Sequence, residues 1–215
     1  MNADAPFPQV MMRVMDMDGI VIAGGAGRRL GGPKALATLG GRTLAEIAVA
    51  ALAAHCARVM VVTRPGIVLP ELPAETLLDR PGPDAPLTGL ATGLAAARTP
   101  SVLVLACDLP LAGTVLERLA AADGANAAMA VDPDGHRQPL CARYPTKVTL
   151  AAADTLLAGG EARLMRLADA VAPREVPATA DELLNVNTPD DLARAAALRG
   201  DRTWTAPSRP APGAG

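Results

Sequence analysis

Aromatic side chains are almost missing from this chain: Phe7, Tyr144 and Trp204 are the only ones in 215 residues. Proteins that bind single strands by stacking bases on an aromatic platform are thereby excluded. Charge of one sign is missing too, because 20 Lys and Arg stand against 22 Asp and Glu for a net charge of −2. The chain carries neither a basic nucleic-acid coat nor a polybasic membrane anchor, and any anion site must be local. Cysteine is sparse, and Cys56, Cys107 and Cys141 show no CxxC pairing, which indicates neither a disulfide frame nor a zinc site. Long apolar runs are lacking as well. The segment MNADAPFPQVMMRVMDMDG holds no stretch long enough for the apolar part of a signal peptide, and Glu46 interrupts the best later candidate. The composition reads as a cytoplasmic, soluble protein with no nucleic-acid or membrane partner.

What is abundant is small apolar residues. Half the chain is apolar, and with so few aromatics the core must be built from Ala, Val and Leu, which suits helices packed closely on a sheet. Short apolar runs alternate with longer amphipathic ones. GIVIA (19–23), a Gly-rich loop, TLAEIAVAALAAHC (43–56) and RVMVVT (58–63) read as strand, loop, helix and strand. The pattern continues with strand 75–79, helix 86–98, strand 101–108, a helix over about 111–122, strands 127–132 and 139–144, and helices near 145–158, 161–169 and 188–198. Continuous apolar strands between helices predict a Rossmann-like, doubly wound, mostly parallel α/β sheet with helices on both faces. Residues 18–199 form the expected domain. The first 17 residues, rich in Met and polar breakers, and the Pro/Gly-rich segment 200–215 are expected to be disordered.

In open α/β sheets ligands bind beyond the carboxyl ends of the strands, which draws attention to the residues after GIVIA, TLLD and VLVLAC. The first is AGGAGRRLGGPK, residues 23–34. It fails the dinucleotide fingerprint, since the third glycine of GxGxxG falls on Leu30, and it fails the Walker A pattern, since Lys34 follows Pro33 and precedes Ala35. What remains is a glycine loop with three cations, Arg28, Arg29 and Lys34, a charge suited to a triphosphate. A flexible turn with solvated basic residues is the plainer alternative.

This loop, together with LACDLP (105–110), DRPGPDAPLTGL (79–90), QPLCARY (138–144) and NVNTPDDL (185–192), resembles the molybdenum cofactor guanylyltransferases of the nucleotidyltransferase superfamily over about residues 19–198. The resemblance implies transfer of GMP from GTP to the molybdenum-bearing molybdopterin cofactor, with release of pyrophosphate. It implies nucleotide contacts at Ile22, Ala23, Gly24, Gly25, Lys34, Asp79 and Asp108, and catalytic roles for Arg28, Lys34 and Asp108. Asp108, presented at a strand's carboxyl end, is the expected Mg2+ ligand, with an N-cap for the following helix as its other reading. Asp79 is either the family's nucleotide-contacting aspartate or a turn former. Acceptor binding falls to Asn185, Asn187 and Arg163. Thr188 or Asn187 could equally cap the helix beginning at Pro189, and Arg163 equally suits a helix surface. Proteins that insert the molybdenum cofactor into its target enzymes are candidate partners. Cys107, with no His partner in its sequence context, reads as core, and His55 and His136 as structural and solvated.

Two rivals remain from the sequence. One is a sibling cytidylyl- or sugar-nucleotidyltransferase, suggested by the Pro33-Lys34 dipeptide. The other is a non-catalytic dinucleotide-binding module, suggested by the glycine turn alone. The resemblance pairs Gly-Gly after Ala23 with guanylyl transfer and Ala-Gly with cytidylyl transfer.

Overall fold

Parallel strands buried on both faces need apolar residues at every position, and β1 (Met17–Ile22) is buried along its whole length. The computed structural model describes residues 17–122 and 126–200. Expectations for the remaining termini, Phe7 and Trp204 among them, lie outside the described residues. Around β1 the chain lays down β4 (Arg58–Thr63), β5 (Glu75–Leu78), β6 (Ser101–Ala106), β7 (Ala128–Val131), β8 (Arg137–Pro145) and β9 (Arg174–Pro177). These form one seven-stranded sheet in the order β5-β4-β1-β6-β8-β7-β9, and β2 (Thr38–Leu39) pairs with β3 (Arg42–Thr43) in a separate small hairpin. β8 runs antiparallel to both neighbours, β6 and β7, while the other pairings in the large sheet are parallel. The sheet is the doubly wound, mostly parallel α/β architecture expected.

The helices are α1 (Leu44–Ala53), α2 (Pro86–Ala96), α3 (Gly113–Ala121), α4 (Thr146–Ala158), α5 (Leu164–Val171) and α6 (Pro189–Arg199). Alternate strand residues feed two cores. Val21, Val61, Leu103 and Leu105 pack with Leu52 of α1 and Leu116 of α3, and Ile20, Ile22, Met60 and Val104 pack with Leu90 of α2 and Leu167 of α5 on the opposite face. Close approach is built in at Gly93 of α2, where a Cβ would lie 2.6 Å from Ile20 Cγ2. A third cluster joins Leu39, Leu44 and Ile47 to Leu184, Val186, Leu192 and Ala195, docking the C-terminal helix beside the glycine loop. At the far end of β1 the buried Asp18 carboxylate accepts from Arg58 Nη2 at 3.0 Å and from the Arg98 amide at 2.6 Å.

Several element boundaries differ from the sequence reading. β1 begins at Met17, inside the segment set aside, because that side chain is buried. The first helix stops at Ala53, so His55 and Cys56 lie in the turn leading to β4. The helix expected from residue 111 starts at Gly113, after Leu109 and Ala112 have made short-range turns. The hairpin β2–β3 and strand β9 were not expected; β9 buries only Val176 and offers no apolar run to recognise.

Candidate active site

Ala23 leaves β1 with its amide still bonded to the Val62 carbonyl at 2.8 Å, and Gly24 and Gly25 follow in an open loop. Gly27 turns the chain with φ +54, and a Cβ there would sit 2.0 Å from the Gly32 carbonyl oxygen, so only glycine fits. Its own carbonyl accepts from Leu30 at 2.8 Å and from Gly32 at 3.4 Å, and the Lys34 amide returns to the Gly25 carbonyl at 3.1 Å. The loop is therefore folded back on itself, which brings the Lys34 stem against Gly25.

The Lys34 ammonium is aimed by three elements. It donates to Asp108 Oδ2 at 2.6 Å and to Asn187 Oδ1. Asp108 follows β6 and Cys107, and its carbonyl accepts from the Val186 amide at 2.8 Å, which locks the NVN segment against the strand end. The Asn187 side-chain amide donates in turn to Asn185 Oδ1 at 2.9 Å. Neither asparagine caps α6. Thr188 does so, its hydroxyl accepting from Asp191 N while the Asp191 carboxylate accepts from the Asn187 and Thr188 amides. Asp108 is not a cap either, since the N-cap of α3 is Ala112 and makes no side-chain bond. The cap of α6 is thus Thr188, one of the two residues the sequence offered for it, and the capping alternative for Asp108 falls away.

These groups border a cleft of about 240 Å³ at the carboxyl ends of β1, β4, β5 and β6. Ile22, Gly24, Gly25, Lys34, Asp79, Asp108 and Asn185 line it, and Ala23 is buried beneath. Asp79 has its Oδ1 buried without a hydrogen-bond partner among the described residues. Burial pushes its carboxyl above the ordinary range, with the nearby Arg64 charge pulling the other way. The Cys107 thiol is pushed up by burial, which fits a core side chain rather than a nucleophile. His136 is exposed and bonded to Asp132 in the turn between β7 and β8.

Four expected site residues lie outside the cleft lining: Ala23, buried beneath it, Asn187, which reaches it through Lys34, and Arg28 and Arg163. Arg28 is exposed in a one-turn helix, Arg28–Leu30, of the glycine loop. Arg163, with a side chain 75% exposed, pairs with Glu161 at the start of α5, while its neighbour Leu164 faces the cleft. Conversely, the cleft contains Arg64, Gln138 and Gly89, which were not singled out as site residues. Arg64 directly follows β4, so the same strand-end rule that flagged Asp108 applies to it.

Residues 19–176 match the MobA-like NTP transferase domain. The chain belongs to this family. It is 37% identical over 201 residues to the probable molybdenum cofactor guanylyltransferase of Chloroflexus aggregans, covering 86% of this chain and 96% of that relative. Among solved structures, the 2-C-methyl-D-erythritol 4-phosphate cytidylyltransferase of Thermus thermophilus superposes with a TM-score of 0.67 at 26% identity, over 86% of this chain and 98% of its own. The molybdopterin-guanine dinucleotide biosynthesis protein A of Archaeoglobus fulgidus gives 0.63 at 22% identity, over 86% and 99%, a likeness of fold. As a member of the MobA-like family the chain is an enzyme of nucleotidyl transfer, which sets aside the non-catalytic dinucleotide module. Among the described residues no helix is long and apolar enough to cross a membrane.

Proposed function

We propose that this enzyme transfers GMP from GTP to the molybdenum-bearing molybdopterin cofactor in a Mg2+-dependent reaction. The observation that carries the reading is the Lys34–Asp108 pair, 2.6 Å apart at the strand-end cleft, together with the guanylyltransferase relative that matches most of the chain. An oxygen of the molybdopterin phosphate attacks the α-phosphorus of GTP. The new P–O bond forms as the bond to the bridging oxygen of the β-phosphate breaks, and that electron pair leaves with pyrophosphate. No covalent enzyme intermediate is required.

The chain's share is positioning and charge. Lys34 is held in place by Asp108 and Asn187 before any nucleotide arrives, so its cation needs little rearrangement to meet phosphate oxygens. The same reading puts Arg28 on the departing pyrophosphate, which requires this exposed side chain to swing inward from the loop. The donor set fits a hard cation: Asp108 supplies a carboxylate and Asn185 an amide oxygen in the same cleft, and Mg2+ takes one or two carboxylates with substrate phosphates and water. Bound there, Mg2+ supplies neutralisation of the charge that develops on the leaving group. Asn185 and Asn187 are assigned to the acceptor, with Asn187 also coupled to the nucleotide side through Lys34. Arg163 is proposed to contact the acceptor from the rim, beside Leu164.

The fold likeness to a cytidylyltransferase keeps one specific competitor in view. A competition assay with GTP, CTP, Mg2+ and molybdopterin separates the two. GTP is expected to win by at least ~10-fold in kcat/KM, about 1.4 kcal/mol of differential transition-state binding. Equal use of both nucleotides would assign the chain to a sibling activity.

A further inference from the structure

The cleft has two chemically different ends. Lys34 and Asp108 stand over β6, at the end proposed for the triphosphate. The other end lies over β4 and β5, where Gly24, Val62, Arg64, Asp79 and Gly89 form the lining. A nucleotide laid with its phosphates at Lys34 can place its base over that second end, while Gln138, Pro139, Leu140 and Leu164 line the side toward β8 and α5.

Two side chains of opposite hydrogen-bonding sense meet there. Arg64 offers five N–H donors and no acceptor, and an ionised carboxylate such as Asp79 accepts only. Arg64 is held in place: its Nη2 pairs with Asp84 Oδ1 at 2.7 Å. Its Cγ and Nε lie against Gly24, where an added Cβ would come within 3.2 Å of both. Asp79 lines the cleft, with its Oδ1 buried beside Gly89 and without a protein partner among the described residues. Such an atom is costly to leave unsatisfied, and a ligand N–H would satisfy it.

We propose that Arg64 is the side chain that selects a 6-oxopurine, its guanidinium donating to O6 and N7 of the base while the Asp79 carboxylate accepts from N1–H and the 2-amino group. The proposal rests on the guanylyl reading above and deepens it by naming the base-reading groups. Guanine presents O6 and N7 as adjacent acceptors, a pattern that a guanidinium meets with two bonds. Adenine turns an amine toward the same guanidinium, and cytosine offers an amine and no N7, so both leave Arg64 and Asp79 facing groups of their own sense. Asp84 touches no base in this scheme; it is a positioning residue for Arg64.

Calorimetric titration with Mg2+ and each of GTP, ITP, 7-deaza-GTP, ATP and CTP tests this without any acceptor. In the wild type, removing N7 is expected to weaken binding by roughly 5- to 10-fold. In Arg64→Ala, GTP binding should weaken at least ~10-fold and 7-deaza-GTP should then bind as well as GTP, while the penalty of ITP, which lacks the 2-amino group, persists through Asp79. Melting curves establish that the variant is folded. Because the 7-deaza comparison changes the ligand and not the protein, it stands independently of folding. An Arg64→Ala variant that weakens GTP and ATP by the same factor, or a wild type indifferent to N7, would overturn the role of Arg64. A wild type that binds CTP as tightly as GTP would instead remove the guanylyl reading itself.

Discussion

Replacing Asp108 by Asn changes one charge at the centre of the site and almost nothing in shape. The ion pair it breaks has side chains 20% and 14% exposed. Removing one partner of a fully buried pair costs about 3–5 kcal/mol, and exposed pairs contribute about 0–1 kcal/mol. This pair stands between those limits, and Lys34 keeps Asn187 Oδ1 as an acceptor. The expected loss of stability is therefore about 1–2 kcal/mol, or roughly 2–8 °C in Tm for a chain of this size. Helix capping adds nothing, because Asp108 does not cap α3. Activity should fall far more, by at least ~100-fold or about 2.7 kcal/mol, since the variant loses the charged ligand proposed for Mg2+ and the group that aims Lys34. The assay is turnover against Mg2+ concentration for both proteins, with thermal melts of each. Superimposable Mg2+ curves would refute the assignment of the ion to Asp108, and an activity loss no larger than the loss of folded protein would reduce Asp108 to a structural role.

Asp79→Asn should raise Tm at neutral pH while weakening GTP binding. The folded-state pKa of Asp79 is raised by burial, so its carboxyl favours the folded state when protonated, and that contribution is lost as pH rises through the raised value. Melts from pH 7 down to about pH 4 should show the wild type gaining ground on the variant as the carboxyl protonates; parallel curves would refute the shift. Gly93→Ala should destabilise by about 1–3 kcal/mol through overpacking against Ile20, and an unchanged denaturation midpoint would show that α2 retreats freely.

The buried strands were legible because burial on both faces demands unbroken apolar runs, and the strand-end rule then pointed to Gly24, Gly25 and Asp108, with Asp79 coming from the family resemblance. The direction of β8 was not legible, because burial looks the same for a strand of either sense. β9 was hidden for the opposite reason, having one buried residue in four. At the site, sequence left helix capping open for Asp108 beside its expected metal role, and offered Thr188 or Asn187 as the cap of the helix beginning at Pro189. The choice came from long-range facts, the start of α3 at Gly113 and the capping of α6 by Thr188. Arg64 escaped notice since RVMVVT is followed by Arg64-Pro65-Gly66, which reads as an ordinary turn, and its significance lies in two partners, Gly24 and Asp84, that the chain brings to it from separate turns.

Lys34 and Asn187 are 153 positions apart yet share a hydrogen bond, and the docking of α6 beside the glycine loop makes that contact possible. The order of synthesis then matters. While the chain is still emerging from the ribosome, β1, the glycine loop, β4, β5 and β6 can form the parallel half of the sheet with Lys34 and Asp108 already present, but the segment that fixes Lys34 from the far side has not yet been made. A nascent chain can thus carry the outline of a nucleotide cleft without the clamp that completes it. A chain cut short before residue 185 retains all seven strands of the large sheet but loses Asn187, one of the two acceptors of the Lys34 ammonium.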